Sequence, residues 1–249
     1  MDVLDWLLLL GAGLLGGVIN SVSSGGSFIT YPALLLVGLS PIEAAATTLA
    51  ALTPANLAAV PEYRDEVRSK WHLYPPMLGT VFVGCLVGVA LLLSTDADVF
   101  DALVPWLVLT ATLVFAFTDR IRDWAVRSAP WLTHGRVGVL VLFVFGVYLT
   151  YFGSGIGNLM LAILSIRGFG DFLSSNAAKN VVLTMGTVIA SIAYTISGFI
   201  DWWASLPVIL GSAVAGFLFA RQARKVPLGV LRGVVIAFGL TVAVAQFVT

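Results

Sequence analysis

Continuous apolar runs separated by short polar breaks dominate this chain. Runs near 4–21, 72–93, 102–118, 173–198, 204–220 and 232–248 keep their hydrophobicity without alternation. About 20 such residues span a bilayer as a helix. A transmembrane barrel would show roughly ten-residue segments of alternating polarity, and none is present. Two blocks, 4–60 and 137–198, each divide into three apolar pieces: 4–21, 25–38 and 42–60, then 137–152, 156–166 and 173–198. At 1.5 Å per residue the middle pieces reach only about 17 to 21 Å, short of a hydrocarbon core of about 30 Å. They read either as shallow crossings or as halves of helical hairpins that turn inside the membrane.

Composition agrees with this pattern. Of 249 residues, 59% are hydrophobic and 10% charged, against about 25% charged in soluble domains. The chain therefore reads as an integral membrane protein. "MDVLDWLLLLGAG" lacks the positive leader of a secretory signal and reads as a retained first segment. The single cysteine, Cys85, lies in an apolar run and reads as a small core residue. The pattern calls for no cofactor, no metal and no nucleic-acid partner.

Charge sets an expected topology. Of 13 Lys and Arg, 12 lie in or beside four polar stretches: Arg64, Arg68 and Lys70; Arg120, Arg122, Arg127 and Arg136; Arg167; and Arg221, Arg224, Lys225 and Arg232. The breaks at the N-terminus, at 94–101, at Asp201 and at the C-terminus carry none. Basic loops stay cytoplasmic, so both chain ends are expected outside. Each three-piece block must then cross an odd number of times.

The sequence also repeats. Under a shift of 132 residues Gly25 meets Gly157, Gly38 meets Gly170, and Ala45-Ala46 meet Ala177-Ala178. Ala58 meets Ala190, Trp71 meets Trp203, Pro75 meets Pro207, Leu78-Gly79 meet Leu210-Gly211, and Gly84 meets Gly216. With odd parity per copy, this reads as two inverted-topology repeats of about five helical segments each. Repeat one is expected at 1–118, a cytoplasmic linker at 119–136 and repeat two at 137–249. Secondary transporters built this way hold their substrate near the midplane, at the repeat interface. The expected fold is an all-α polytopic membrane protein with a broken helix pair at a glycine-rich turn in each copy.

Those turns are "NSVSSGGSF" at 20–28 and "YFGSGIGNL" at 151–159. Irregular backbone at membrane depth must be buried in protein or line a cavity. Glycine allows close approach, and the helix that follows offers free N–H groups and a partial positive charge. Asn20, Ser23, Ser24, Gly25 and Gly26 in the first turn, and Gly155, Gly157 and Asn158 in the second, are candidate contacts for a small anion. Ser27 and Ser154 add donors. The alternative is that these glycines only permit tight helix packing, the role expected at Gly13-x-x-x-Gly17 and Gly84-x-x-x-Gly88.

"LSSNAAKNVV" supplies the charge. Asn176, Lys179, Asn180 and Thr184 follow i, i+3, i+4, i+8 spacing and share a helix face. Their counterparts in the first copy include Thr47 and Thr48, which complete the candidate site. An ammonium at the centre of a membrane helix costs about 2.5–3.5 kcal/mol on insertion scales. Lys179 reads either as counter-ion to an anion, or as a side chain that snorkels from a depth of about 8 to 12 Å. Asn56 is a weaker candidate for the same cavity, and Trp71 and Trp203 read as interface anchors. No carboxylate or histidine lies deep enough to suggest proton coupling.

The glycine cluster Gly25-Gly26, then Pro32, Gly38, Pro41 and Ala44 to Thr48, followed by a second copy, resembles the TauE/SafE sulfite exporter family, also called toluene sulfonate uptake permeases. The likeness spans roughly 10–248. The family's longer glycine run is thinned here, and Leu164 stands where the second copy would carry its proline. The resemblance implies transport of small sulfur oxyanions or sulfonates across a bacterial inner membrane, often as export. The expected partners are then a small sulfur anion and the lipid bilayer, with homodimerisation left open. Three other readings stand beside it: a permease taking up another small oxyanion, an intramembrane aspartyl protease using "GFGD" at 168–171, and a scaffold subunit without transport. The protease chemistry needs two carboxylates sharing a proton, and no second one lies in an apolar segment.

Overall fold

Apolar runs must satisfy every backbone polar group internally, and the helix does so within one segment. The computed structural model describes residues 1–23, 25–128 and 135–219 together with positions 233, 236 and 237. All regular structure in them is helical: α1 (Val3–Ser23), α2 (Ser27–Leu36), α3 (Pro41–Ala59), α4 (Arg64–Ser69), α5 (Tyr74–Ser94) and α6 (Ala97–Ala116). There follow α7 (Thr118–Ser128), α8 (Gly135–Tyr151), α9 (Ile156–Leu164), α10 (Phe172–Ile196) and α11 (Trp202–Phe219). The expected last crossing, 232–248, falls outside the described residues apart from those three positions.

Among the described residues four stretches are long and apolar enough to cross a membrane: Val3–Asn20, Trp71–Ser94, Ala97–Ala116 and Leu173–Ile196. Four shorter apolar helices join them: Ser27–Leu36, Gly135–Tyr151, Leu159–Phe169 and Trp202–Gly216. The protein is thus multi-pass. α3 is absent from both groups because Thr47, Thr48, Thr53 and Asn56 lower its hydropathy. All four are buried, so they face protein rather than lipid. With ten residues, α2 is about 15 Å long. It folds back on α1: a Cβ on Gly16 would stand 2.8 Å from Thr30, and one on Gly26 3.0 Å from Asn20. α1 and α2 thus form a tightly packed helical hairpin.

Two helix pairs make the closest contacts, α1 with α11 and α5 with α8. Small residues let their backbones touch. A Cβ on Gly13 would lie 2.5 Å from Val208 O, and one on Gly17 2.8 Å from Ser212 O. On the other side a Cβ on Gly84 would run into Phe143 O, and one on Gly88 into Val147 O. Both glycine pairs therefore serve packing. The 132-residue shift carries α1 onto α8 and α5 onto α11, so each close pair joins one half to the other. α3 and α10, equivalent under the same shift, pack against each other.

Helix starts follow the polar signals. Ser40 Oγ accepts from Glu43 N–H at 3.4 Å, and Glu43 Oε2 accepts from Ser40 N–H at 3.1 Å, a complete capping box on α3. Ser40→Ala should cost about 1 kcal/mol, read as a lower thermal midpoint of the purified protein.

Asp171 caps α10. Its Oδ1 accepts from Ser174 N–H at 2.9 Å, which holds the carboxyl below the usual aspartate range. A folded-state value below the unfolded one adds stability above the ordinary Asp range, lost as pH falls through the lowered value. Stability measured against pH should show this acid-limb loss in wild type and a smaller one in Asp171→Asn.

The expected linker at 119–136 begins as helix α7. Its apolar residues Ile121, Trp124 and Ala125 lie within about 100° of one another around the helix, an amphipathic pattern. Cys85 is buried and unpaired. Trp71 and Trp203 are exposed, as interface anchors would be.

Candidate functional site

The two glycine turns meet inside the bundle. Gly153 and Gly155 both adopt φ of +74°, a left-handed conformation that other residues rarely accept. A Cβ on Gly155 would lie 2.9 Å from the Phe28 ring, at the start of α2. Between the turns a cavity of about 10 Å³ is lined by Ser27, Phe28, Tyr31, Phe152 and Ser154. That is about the room one water needs. Tyr31 Oη is buried there without a hydrogen-bond partner among the described residues. At the start of α2, Phe28 N–H donates to Gly25 O at 3.1 Å and Ile29 N–H to Gly26 O at 3.1 Å. The first-turn donors of α2 are thus engaged in this conformation, and the cradle between the turns is closed.

Of the other residues expected in the first turn, Gly25 and Gly26 are buried, Ser24 lies outside the described residues, and so does the side chain of Ser23. In the second turn Gly155 and Gly157 are buried, and the side chain of Asn158 is outside the description.

A second group of polar residues runs along the contact between α3 and α10. Asn20 Nδ2 donates to Asn56 Oδ1 at 2.8 Å, and Asn56 Nδ2 donates to Thr187 Oγ1 at 3.4 Å. Thr53 and Ser191 hydroxyls lie 2.9 Å apart. Further along, Asn176 Nδ2 donates to Tyr63 Oη at 2.8 Å. On α10 the positions 176, 180, 184, 187 and 191 fall within one arc of the helix. α10 thus carries a polar stripe through the bundle, and α3 runs antiparallel beside it. Thr47 is used otherwise: its Oγ1 accepts from Asp201 N–H at 3.1 Å, tying α3 to the start of α11. Thr48 Oγ1 is buried without a partner, and Asn180 is half-buried.

Lys179 lies at the edge of this stripe. It is 1% exposed and is the only buried charged residue among those described. Its side chain does not emerge at the protein surface, which argues against snorkelling. No hydrogen bond or ion pair reaches it from the described residues. One turn earlier on its face stands Ser175, fully buried, with Oγ also unpartnered. Ala178 and Val182, flanking Lys179, belong to the same packed cluster as Tyr74 of α5, whose Oη likewise has no partner. Buried polar groups are normally paired. A buried ammonium, a serine and a tyrosine hydroxyl without partners in one region have the makings of a binding site for an oxyanion.

To the residues singled out from sequence the fold adds Ser175, Thr187, Ser191, Thr53, Tyr63 and Tyr74. Ser175 was detectable four residues before Lys179. Thr187 and Ser191 continue the spacing begun at 176 and 180. Tyr63 and Tyr74 carry no sequence signal, because only the fold brings them to α10.

Across residues 9–245 the sequence matches the model of the family described as Sulfite exporter TauE/SafE. The chain belongs to this family. A "Probable membrane transporter protein" of Haemophilus influenzae is 30% identical over 230 residues, covering 89% of this chain and 87% of the relative. The "Probable membrane transporter protein ORF9" of a Sinorhizobium species is 24% identical over 237 residues, with 94% and 88% covered. "Probable membrane transporter protein YfcA" of Escherichia coli K12 is 24% identical over 232 residues, with 89% and 81% covered. No solved structure matches the chain. This TauE/SafE member is thus a membrane transporter, and the protease reading of "GFGD" falls away: Asp171 is instead the exposed cap of α10.

Proposed function

We propose that this transporter carries small sulfur-containing anions, sulfite or a small organosulfonate such as sulfoacetate, out of the cytoplasm. The observation that carries the reading is Lys179: a buried cation with no partner among the described residues, in a region of unpartnered hydroxyls. A bound oxyanion would supply the missing acceptor and the missing charge. The sulfur class rests on the family's description.

The two halves act as inverted repeats. The cross-pairing of α1 with α11 and of α8 with α5 supports this. Rocking one half against the other would expose the region of Asn176, Lys179 and Asn180 alternately to each side. The closed cradle between the glycine turns then belongs to an occluded state, which opens as the halves part. The basic loops support a topology with both chain ends on the periplasmic side of a bacterial inner membrane. An inside-negative potential drives an anion outward by about 2.3 kcal/mol per charge per 100 mV.

Calorimetric titration of the purified protein with sulfite, sulfoacetate, taurine and sulfate tests the reading. Saturable binding of a sulfur anion is the expected result. The absence of binding by all four would remove the substrate class.

A further inference from the structure

Resting on that reading, we propose that the site is built for a single negative charge and discriminates against dianions of the same size. Compensation of an anion at this depth has to come from the protein, because a second unpaired charge in a low-dielectric interior costs several kcal/mol. Lys179 is the only buried charged residue among those described.

Among the described residues, the elements packed on α10 add no second cation there. Arg64 on α4 is exposed and pairs with the equally exposed Asp65 at 3.6 Å. Arg68 and Arg136 are exposed. Lys70 donates to Phe169 O at 2.7 Å, and Arg167 donates to Gly138 O at 2.7 Å, so both point at backbone carbonyls instead. The carboxylates Glu43 and Asp171 are occupied in capping α3 and α10. The unpartnered buried hydroxyls of this part of the core are neutral: Ser175 Oγ, one turn before Lys179 on α10, and Tyr74 Oη of the packed cluster that holds Ala178 and Val182, both without a partner among the described residues. They donate hydrogen bonds to oxygen atoms without adding charge. Helix starts contribute only fractional charge that fades within a turn.

One ammonium surrounded by neutral donors fits a sulfonate or hydrogen sulfite. It leaves sulfate with one charge uncompensated, and among the proposed cargoes it ranks sulfoacetate, whose carboxylate adds a second charge, below hydrogen sulfite and a singly charged sulfonate. The preferred ligands are then singly charged sulfur oxyanions.

Methanesulfonate and sulfate are close in size and differ by one charge, so they isolate this property. Titrations at one pH and ionic strength should give at least roughly 100-fold tighter binding of methanesulfonate. Asn180→Lys, which adds a second cation one residue along, should narrow that preference by raising sulfate affinity. Equal binding of the two anions to wild type would overturn the inference and leave the anion-carrier reading intact. Binding of sulfate alone would do the same. If neither these anions nor sulfite bind, the carrier reading itself fails and the inference falls with it.

Discussion

Lys179→Ala should abolish binding of sulfur anions and leave the ligand-free protein at least as stable as wild type. Both halves follow from one fact, the burial of an ammonium with no partner among the described residues. Losing the only buried charge opposite a bound anion should cost 2–5 kcal/mol of affinity. That is a rise in dissociation constant from tens to thousands of fold. An unpaired buried charge is itself a liability, so its removal relieves the empty protein. Calorimetry reads the first effect and thermal unfolding in detergent the second. A variant that binds as wild type would place the anion elsewhere. A strongly lowered midpoint would mean that Lys179 has a structural partner and serves the fold.

Gly84→Ala and Gly216→Ala, the same change at repeat-equivalent positions, should behave oppositely. A Cβ on Gly84 would collide with the backbone carbonyl of Phe143, and with Gly146 Cα at 3.1 Å. A carbonyl in a helix cannot swing aside, so α5 and α8 must move apart. Forced overpacking of this kind costs about 1–3 kcal/mol. At Gly216 the nearest atoms belong to Ala55 at 3.6 Å, ordinary contact distance. There alanine should be neutral or stabilise by the 0.5–1 kcal/mol that glycine costs within a helix. Paired thermal melts decide it. Equal losses at both sites would contradict the close approach of α5 and α8.

The hydrophobic pattern located most of the fold because lipid and a packed core both demand long uninterrupted helices. The runs 4–21, 102–118 and 173–198 correspond to α1, α6 and α10 within a few residues. Ser40 and Asp171 marked helix starts because capping is local and needs only side chains three residues apart. The short middle pieces left crossing and hairpin open. The packing of α2 back against Gly16 and Asn20 is a contact between helices that no local pattern encodes.

The linker hid α7, since charges are interleaved with its four apolar residues Ile121, Trp124, Ala125 and Val126. At the candidate site, the polar stripe of α10 was legible from its period. Its partners on α3 were legible only in part: Asn56 stood out as an asparagine in an apolar run, while Thr53 did not. Tyr63 comes to Asn176 from the 3-10 turn Val60–Tyr63 that follows α3 directly. The closing of the cradle by Phe28 against Gly155 was invisible, because glycine and phenylalanine at those positions look like ordinary packing.

Sulfite flux in proteoliposomes tests the central claim most directly. Vesicles holding the purified protein are loaded with sulfite and given a membrane potential negative inside. The account predicts release well above that of protein-free vesicles, lost with Lys179→Ala. Release no faster than from protein-free vesicles, with protein that is folded and correctly reconstituted, would contradict it.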